Sequence, residues 1–227
     1  EQARYDLFDE QFNWLVHVVF PALGIEHWKA TNWEADDLIG LWASQLPSDR
    51  YGVIASGDRD MWQLVRENLH VQYPPKGVVT LDNFSEFAKG LTRPHQWLTY
   101  RILTGDNSDG IPGVGGFGDK KGFVIAQSFQ ENSDKLKQWA DYLQASGKTM
   151  ATAELIANFR RNRILMDLSI AAEEVRKSVV RHEFKLEVIE PEPDGLAVVG
   201  EFEKWGMTTL QETFASWSEP FQNLHRR

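Results

Sequence analysis

Seven carboxylates stand in three short clusters along the chain. Glu34, Asp36 and Asp37 lie in Glu34-Ala35-Asp36-Asp37, Asp58 and Asp60 in Ser56-Gly57-Asp58-Arg59-Asp60, and Asp106 and Asp109 in Thr104-Gly105-Asp106-Asn107-Ser108-Asp109-Gly110. Carboxylates from separate segments are what a hard divalent cation needs, because such ions prefer oxygen ligands. Two such ions about 4 Å apart suit in-line phosphodiester hydrolysis, one activating water and the other stabilising the leaving oxygen. Without cations the converging acids would repel one another, and some would protonate. Each cluster alone also has a plainer explanation. Acids in a first helical turn favour the helix dipole. Ser56–Asp60 reads equally as a polar turn with Asp60 capping the next helix. Thr104–Gly110 reads as an Asx-rich turn. An EF-hand is a rival for the third cluster, but the twelfth position from either Asp is not the bidentate Glu that a calcium loop requires.

The third cluster runs directly into Ile111-Pro112-Gly113-Val114-Gly115-Gly116-Phe117-Gly118-Asp119-Lys120-Lys121-Gly122. No G-K-[ST] ending follows and no strand precedes, so nucleotide and dinucleotide loops are poor readings. A hairpin between helices fits better. Gly113, Gly115 and Gly118 would let the backbone approach a phosphate closely. Backbone N–H groups and a helix N-terminus near Asp119 would meet phosphate oxygens, with Lys120 and Lys121 adding charge. Such contacts carry no base sequence information. Exposed carbonyls of the turn could hold a monovalent cation. The plain alternative is a glycine-rich surface loop. Arg101, and the triplet Arg160, Arg161 and Arg163, read either as further phosphate contacts or as solvated faces.

These groups need elements to position them. Apolar residues from Phe8 to Leu23 recur at helical spacing, ended by Pro21 and Gly24. A short strand is predicted over 24–30, a helix over 34–46, a buried strand at 51–56 and a short helix at 61–65. Strands follow at 69–73 and 78–81, separated by Pro74-Pro75-Lys76-Gly77. Strands alternating with helices predict an α/β core around a mostly parallel sheet. Beyond residue 82 the pattern is helical, over 83–89, 94–103, 119–127, 134–145 and 152–165. A break at 190–195 separates two last helices. By role the chain divides into a core over 1–110, a turn-bearing helical region over 111–190, and C-terminal helices over 191–227 that pack back on the core.

Composition bounds this reading. Of 227 residues 42% are hydrophobic and 25% charged, and there is no cysteine, so thiolate metal sites and disulfides are excluded. No apolar run reaches the length of a membrane span and no signal peptide opens the chain. A net charge of −9 argues against nucleic acid only as a global sum. Acids that converge on cations do not act as bare negative charge.

The ordered motifs E-A-D-D, S-G-D-R-D and G-D-N-S-D-G-I-P-G-V-G-G-F-G-D-K-K-G resemble the 5′ nuclease superfamily, which includes flap endonucleases and the 5′-nuclease domains of bacterial DNA polymerases. The stretch from Phe8 through Leu168 looks most like the bacteriophage branch. This resemblance implies a PIN-like core followed by a helix–three-turn–helix element that grips duplex DNA and usually binds potassium. It implies two Mg²⁺ or Mn²⁺ ions, with Glu34 and Asp36 at the first, Asp58, Asp60, Asp106 and Asp109 mainly at the second, and Asp37 beside them. Arg101 occupies a position that is basic in phage relatives, and Lys120 and Lys121 match the basic pair of the DNA-binding turn. The implied substrate is DNA with a 5′ flap, nick or 5′ end, or an RNA–DNA hybrid as in primer removal. The implied location is cytoplasmic, in the host if phage-encoded, and replication-protein partners are not readable. An opening strand with an Asp, a second Asp-bearing strand and a helical arch belong to the family and are not visible here. The core is therefore expected to be N-terminally incomplete. A non-catalytic duplex-binding module and a single-strand ribonuclease on a related fold are the competing readings.

Overall fold

The computed structural model describes residues 2–74, 76–115, 117–128, 145 and 152–222. The helix expected over 134–145 falls almost wholly outside them, and Gly116 does too. In chain order the elements are α1 (Gln2–Trp14), a π-helical turn (Leu15–Val19), α2 (Phe20–Ala22), β1 (His27–Ala30), α3 (Ala35–Gln45), β2 (Gly52–Ala55) and a 3₁₀ helix (Arg59–Leu64). There follow β3 (Leu69–Tyr73), β4 (Gly77–Val79), α4 (Phe84–Phe87), α5 (Pro94–Thr104), β5 (Gly105–Asp106), β6 (Ile111–Pro112) and α6 (Asp119–Ser128). The last described elements are α7 (Thr152–Met166), α8 (Leu168–Val180), β7 (Leu186–Ile189), α9 (Gly195–Lys204), α10 (Thr208–Glu212) and α11 (Phe214–Gln222).

The chain forms two compact units, residues 33–183 and residues 1–32 with 184–227. In the second, β1 pairs antiparallel with β7, and Trp14 and Val19 pack with Val198 and Phe202. Strand β7 was not predicted. Its signal is only the two-residue alternation of Leu186 and Val188 around Glu187, too short to stand out from a helical surrounding. Among the described residues, three helices, not two, follow the break at 190–195.

Residues 33–183 carry all seven carboxylates. Here β2 pairs parallel with β3, and β3 pairs antiparallel with β4. The geometry follows from the connections. The β2–β3 link runs through the 3₁₀ helix and is long enough to return to the same end. The β3–β4 link of three residues can only make a hairpin. Val71 and Val79 face each other fully buried, and Leu69, Phe84, Ala88 and Leu91 close the same core. β2 lies at the edge with Val53 exposed.

Helix α5 joins this core to the glycine-rich turn. Its Trp97 and Tyr100 enter the sheet-side cluster with Trp62 and Tyr73. Its Leu98, Ile102 and Leu103 enter a second cluster with Val114 and Phe117 of the turn, Ile125 of α6, and Leu155 and Phe159 of α7. One helix buried on two faces thus ties the strand ends to the turn. It ends at Gly105, where φ is +75°. A Cβ there would collide with the Ile111 carbonyl oxygen and come within 2.5 Å of Gly113 N. Glycine is therefore required by both conformation and space.

Gly105→Ala should cost about 3 kcal/mol through overpacking and strain. Gly110→Ala should cost only about 1–2 kcal/mol, because its φ is +66° but nothing lies within 4 Å of its Cβ position. Urea unfolding of both variants checks the ordering. Equal costs would show that the contact with Ile111 and Gly113 does not constrain this loop.

Candidate metal centre and nucleic-acid interface

The three acidic clusters arrive at one cleft of about 690 Å³. It is lined by Glu34 and Asp36 from the start of α3, Asp58 and Asp60 from the end of β2, Asp109 from the β5–β6 loop, and the apolar Ile39, Met61 and Met166. Local chemistry explains how each segment turns its acids this way. Asp58 is the N-cap of the 3₁₀ helix, accepting from Asp60 N at 2.8 Å. The sequence had pointed to Asp60 as that cap. With Asp58 taking the role, Asp60 is free to point inward and is largely buried.

Asp37 goes elsewhere. Its Oδ2 accepts from Glu34 N at 3.0 Å, so it closes the first turn of α3 from behind and does not line the cleft. For this residue the plain capping explanation describes the geometry. Asp106 also does not line the cleft, but it is not remote. One oxygen each from Asp60, Asp106 and Asp109 lie within 4.8 Å of one another. A set of three carboxylates at that spacing fits a hard divalent cation in its chemistry.

Arg101 stands among these acids. Its Nε donates to Asp60 at 2.8 Å and its Nη2 to Asp106, and its side chain is only 16% exposed. In this structure its guanidinium faces carboxylates, not open solvent. Burial works against the Arg101 charge, but the bonds to Asp60 and Asp106 outweigh it and push its pKa up. Burial pushes the Asp60 carboxyl up. Arg101 partly offsets this, while the charges of Asp58 and Asp106 add to it. Burial, followed by the charge of Asp37, likewise raises Asp36. Asp106 moves the other way. Burial opposes its ionisation, but the Ser108 hydroxyl, the Ser108 N–H at 2.8 Å and Arg101 together hold it at about 2. The centre thus contains acids displaced in both directions around one cation.

The glycine-rich turn is built on the opposite flank of α5. Val114 and Phe117 are buried and anchor it, with Val114 N donating to Leu103 O at 2.9 Å. Gly113 lacks a side chain for an internal reason, since a Cβ would sit 2.7 Å from Thr104 O. Gly118 differs, because open space surrounds its Cβ position, and Lys120 and Lys121 beside it are exposed. Gly115 is half-buried. A clamp not foreseen from sequence fixes α6. Tyr100 Oη donates to Asp119 at 2.6 Å, and Lys89 Nζ donates to Tyr100 at 2.6 Å and to Asp119 at 2.9 Å. Lys89 adopts φ +56°, unusual for a lysine. The arginine triplet is not one basic face. Arg161 donates to Asn162, Arg163 pairs with Asp167, and Arg160 is exposed.

Residues 2–89 match the family described as the 5′-3′ exonuclease N-terminal resolvase-like domain. DNA polymerase I of Lactococcus lactis is 37% identical over 145 residues, covering 58% of this chain and 16% of the polymerase. A bacteriophage T5 protein crystallised with metal ions superposes with a TM-score of 0.53 at 24% identity, covering 66% of this chain and 56% of its own. The T5 flap endonuclease in complex with DNA and metal ions gives 0.53 at 23% identity, covering 66% and 55%. The structural likeness at this identity shows the fold. The protein is thus an α/β chain with the PIN-like fold of the phage flap endonucleases. Its residues 2–89 are similar to the 5′-3′ exonuclease N-terminal domain, and the chain spans about a sixth of the polymerase it matches and just over half of the T5 chain.

Removing the guanidinium should expose the repulsion it masks. Arg101→Met is expected to destabilise the metal-free protein by about 2–3 kcal/mol at neutral pH. Millimolar Mg²⁺ should recover more stability in the variant than in the unmodified protein. Thermal melts with and without Mg²⁺ check this, and an equal Mg²⁺ response in both would reject it.

The Lys89–Tyr100–Asp119 clamp predicts a pH dependence. Bonds from Tyr100, then from Lys89, hold Asp119 below its ordinary value of 3.8. Its contribution is therefore present above that value and is lost as pH falls through the lower folded value. The stability gap between the unmodified protein and Asp119→Asn should be constant from pH 7 to about 5 and close below pH 4. A gap that persists at pH 2.5 would show that the Asp119 charge is not what matters.

Proposed function

We propose that this chain forms the carboxylate cleft and duplex-gripping turn of a structure-specific 5′ nuclease that hydrolyses 5′-flap, nicked or 5′-ended DNA and the RNA strand of primer hybrids. The observation that carries this reading is the convergence of Glu34, Asp36, Asp58, Asp60 and Asp109 on one cleft, with Asp106 within reach of Asp60 and Asp109. A duplex-binding module alone would not need five acids lining one cleft, where they would repel phosphate. The T5 structures holding metal ions, and DNA with metal ions, support the same reading by analogy of fold.

Asp60, Asp106 and Asp109 would hold one divalent ion, and Glu34, Asp36 and Asp58 would contribute to a second. Mg²⁺ or Mn²⁺ bound there supplies charge neutralisation at the phosphate and a more acidic water. The chain supplies the rest. Arg101 counters negative charge at Asp60 and Asp106 when no ion is present, which keeps them paired and in place. Met61, Met166 and Ile39 line the cleft with apolar surface and strengthen the charge interactions beside them. The 113–118 turn, Lys120 and Lys121 would hold the duplex backbone, and turn carbonyls would take a potassium ion. These contacts read shape, so selectivity would follow DNA structure more than base sequence.

The test is cleavage of an end-labelled 5′-flap duplex in Mg²⁺ or Mn²⁺. The Asp58→Asn/Asp60→Asn variant should lose about 100-fold or more in rate, and chelation should abolish cleavage. Lys120→Ala/Lys121→Ala should weaken duplex binding and lower the salt slope of log K by about 2. Salt-sensitive binding without cleavage would leave a non-catalytic duplex-binding piece as the better reading. Neither binding nor cleavage would reject the nuclease assignment for this chain.

A further inference from the structure

Asn162 is fully buried on α7, in the second hydrophobic cluster's neighbourhood, where a polar side chain is costly unless satisfied. Its Nδ2 donates to Ile102 O at 3.0 Å and to Pro112 O at 2.8 Å. Those two carbonyls bracket the segment that carries Asp106 and Asp109. Ile102 O is one of the carbonyls left over at the end of α5, and Leu103 O beside it is taken by Val114 N. Arg161 donates to Asn162 Oδ1 from both Nε and Nη2, at 3.2 and 3.0 Å, which leaves Nδ2 as the inward donor.

Gln63 does the matching work for the other cluster. Its Nε2 donates to Asp60 O at 2.9 Å and to Met166 O at 2.9 Å, and its Oε1 accepts from Leu168 N at 3.0 Å. It therefore fastens the turn bearing Asp60 to the end of α7. Residues 162 and 166 stand one helical turn apart. The end of α7 is thus a common backboard to which both acid-bearing loops are tied by side-chain amides.

We infer that Asn162 and Gln63 are positioning residues that set the spacing between Asp60 and the Asp106/Asp109 pair, and thereby the affinity of this centre for a divalent cation. The loop-fixing part stands on the hydrogen bonds alone, and the cation part rests on the metal reading above. Neither residue touches the cleft's ligands by side-chain charge. Their effect passes through backbone carbonyls and an N–H. Outer partners that orient ligands in this way typically change metal affinity by about 10–100-fold when removed.

The experiment uses Asn162→Asp, which keeps the size but replaces two donors by oxygens facing two carbonyls. Gln63→Glu serves as the second variant, in case the first does not fold. Leu155→Ala, at a fully buried α7 residue whose side chain can make no hydrogen bond, is the control for general destabilisation. Metal-free hydrogen exchange is read at 105–112 for Asn162→Asp and at 58–62 for Gln63→Glu. Mn²⁺ affinity is read by calorimetry at a temperature where every variant is folded. The expected result is local exchange faster by about tenfold or more, with Mn²⁺ binding weakened about 10–100-fold, while Leu155→Ala changes neither. Unchanged exchange in the tied loops would overturn the inference, as would an equal loss of Mn²⁺ affinity in Leu155→Ala. If the unmodified protein binds no Mn²⁺, the metal reading fails and takes the cation part with it, and the exchange data still decide the loop-fixing part.

Discussion

Carboxylates gathered within a few ångströms need compensation before any fold that gathers them is stable. In this chain the compensating group is the Arg101 guanidinium, bonded to Asp60 and Asp106 in a half-buried setting. At such burial a unit charge interacts several-fold more strongly than in bulk water. Asp60 and Asp106 come from segments 46 residues apart, so the pair they make through Arg101 also closes the fold between the sheet and the β5–β6 loop. The same contact explains why the acids are displaced in opposite directions. Asp106, bonded by Ser108 as well, stays ionised, whereas Asp60 has one cation against two like charges and burial.

Arg101 can stand there because of the helix that carries it. Successive residues on an α-helix point about 100° apart, so Tyr100 and Arg101 leave α5 in different directions. Tyr100 reaches Asp119 at the start of α6 and Lys89 just after α4, while Arg101 reaches the acids. Packing of α5 against both hydrophobic clusters leaves it little freedom to rotate. The acidic centre and the glycine-rich turn are therefore held in register by a single rigid element. A displacement of α5 would disturb both together.

The parts of this arrangement that follow from local rules were legible in the residues. The helix at 34–46, the strand and turn at 51–60, the strands at 69–73 and 78–81 and the helix at 94–103 all recur in the structure within a residue or two, because each is bounded by Pro, Gly or an Asx residue and has a clear period; the antiparallel pairing of those two strands was not read. The three acidic clusters could be recognised as a group by their chemistry and by the resemblance of their ordered motifs, whereas spacing along the chain alone does not say that residues 34, 58 and 109 share a cleft. What was not legible depends on distant partners. A lone arginine carries no mark of its counter-ion, so the bonds of Arg101 to Asp60 and Asp106 could not be read. The i, i+3 spacing of Glu34 and Asp37 serves a capping box and a ligand pair equally well, and the hydrogen bond from Glu34 N to Asp37 is not marked in the residues. Asn162, Gln63 and the Lys89–Tyr100–Asp119 clamp have no motif at all. Strand β7 needs β1, about 160 residues away, before its four residues become a strand.

The acidic balance of the chain is also resolved by placement. A net charge of −9 is a poor starting point for holding a polyanion. The described cations divide into those consumed within the fold and those left outside. Lys89, Arg101, Arg163 and Lys177 pair with acids. Lys120 and Lys121 stand exposed at the start of α6, where the helix dipole adds to their charge. The acids are likewise divided, with the densest group facing inward around Arg101. A phosphate backbone approaching the turn would meet Lys120 and Lys121 first, and screening at physiological salt limits the reach of remote charge to about 8 Å. On the reading proposed above, divalent ions at the cleft would remove the remaining repulsion. Duplex affinity and divalent-ion occupancy would then be coupled by electrostatics alone, even though the turn and the acids lie on different flanks of α5 and share no ligand.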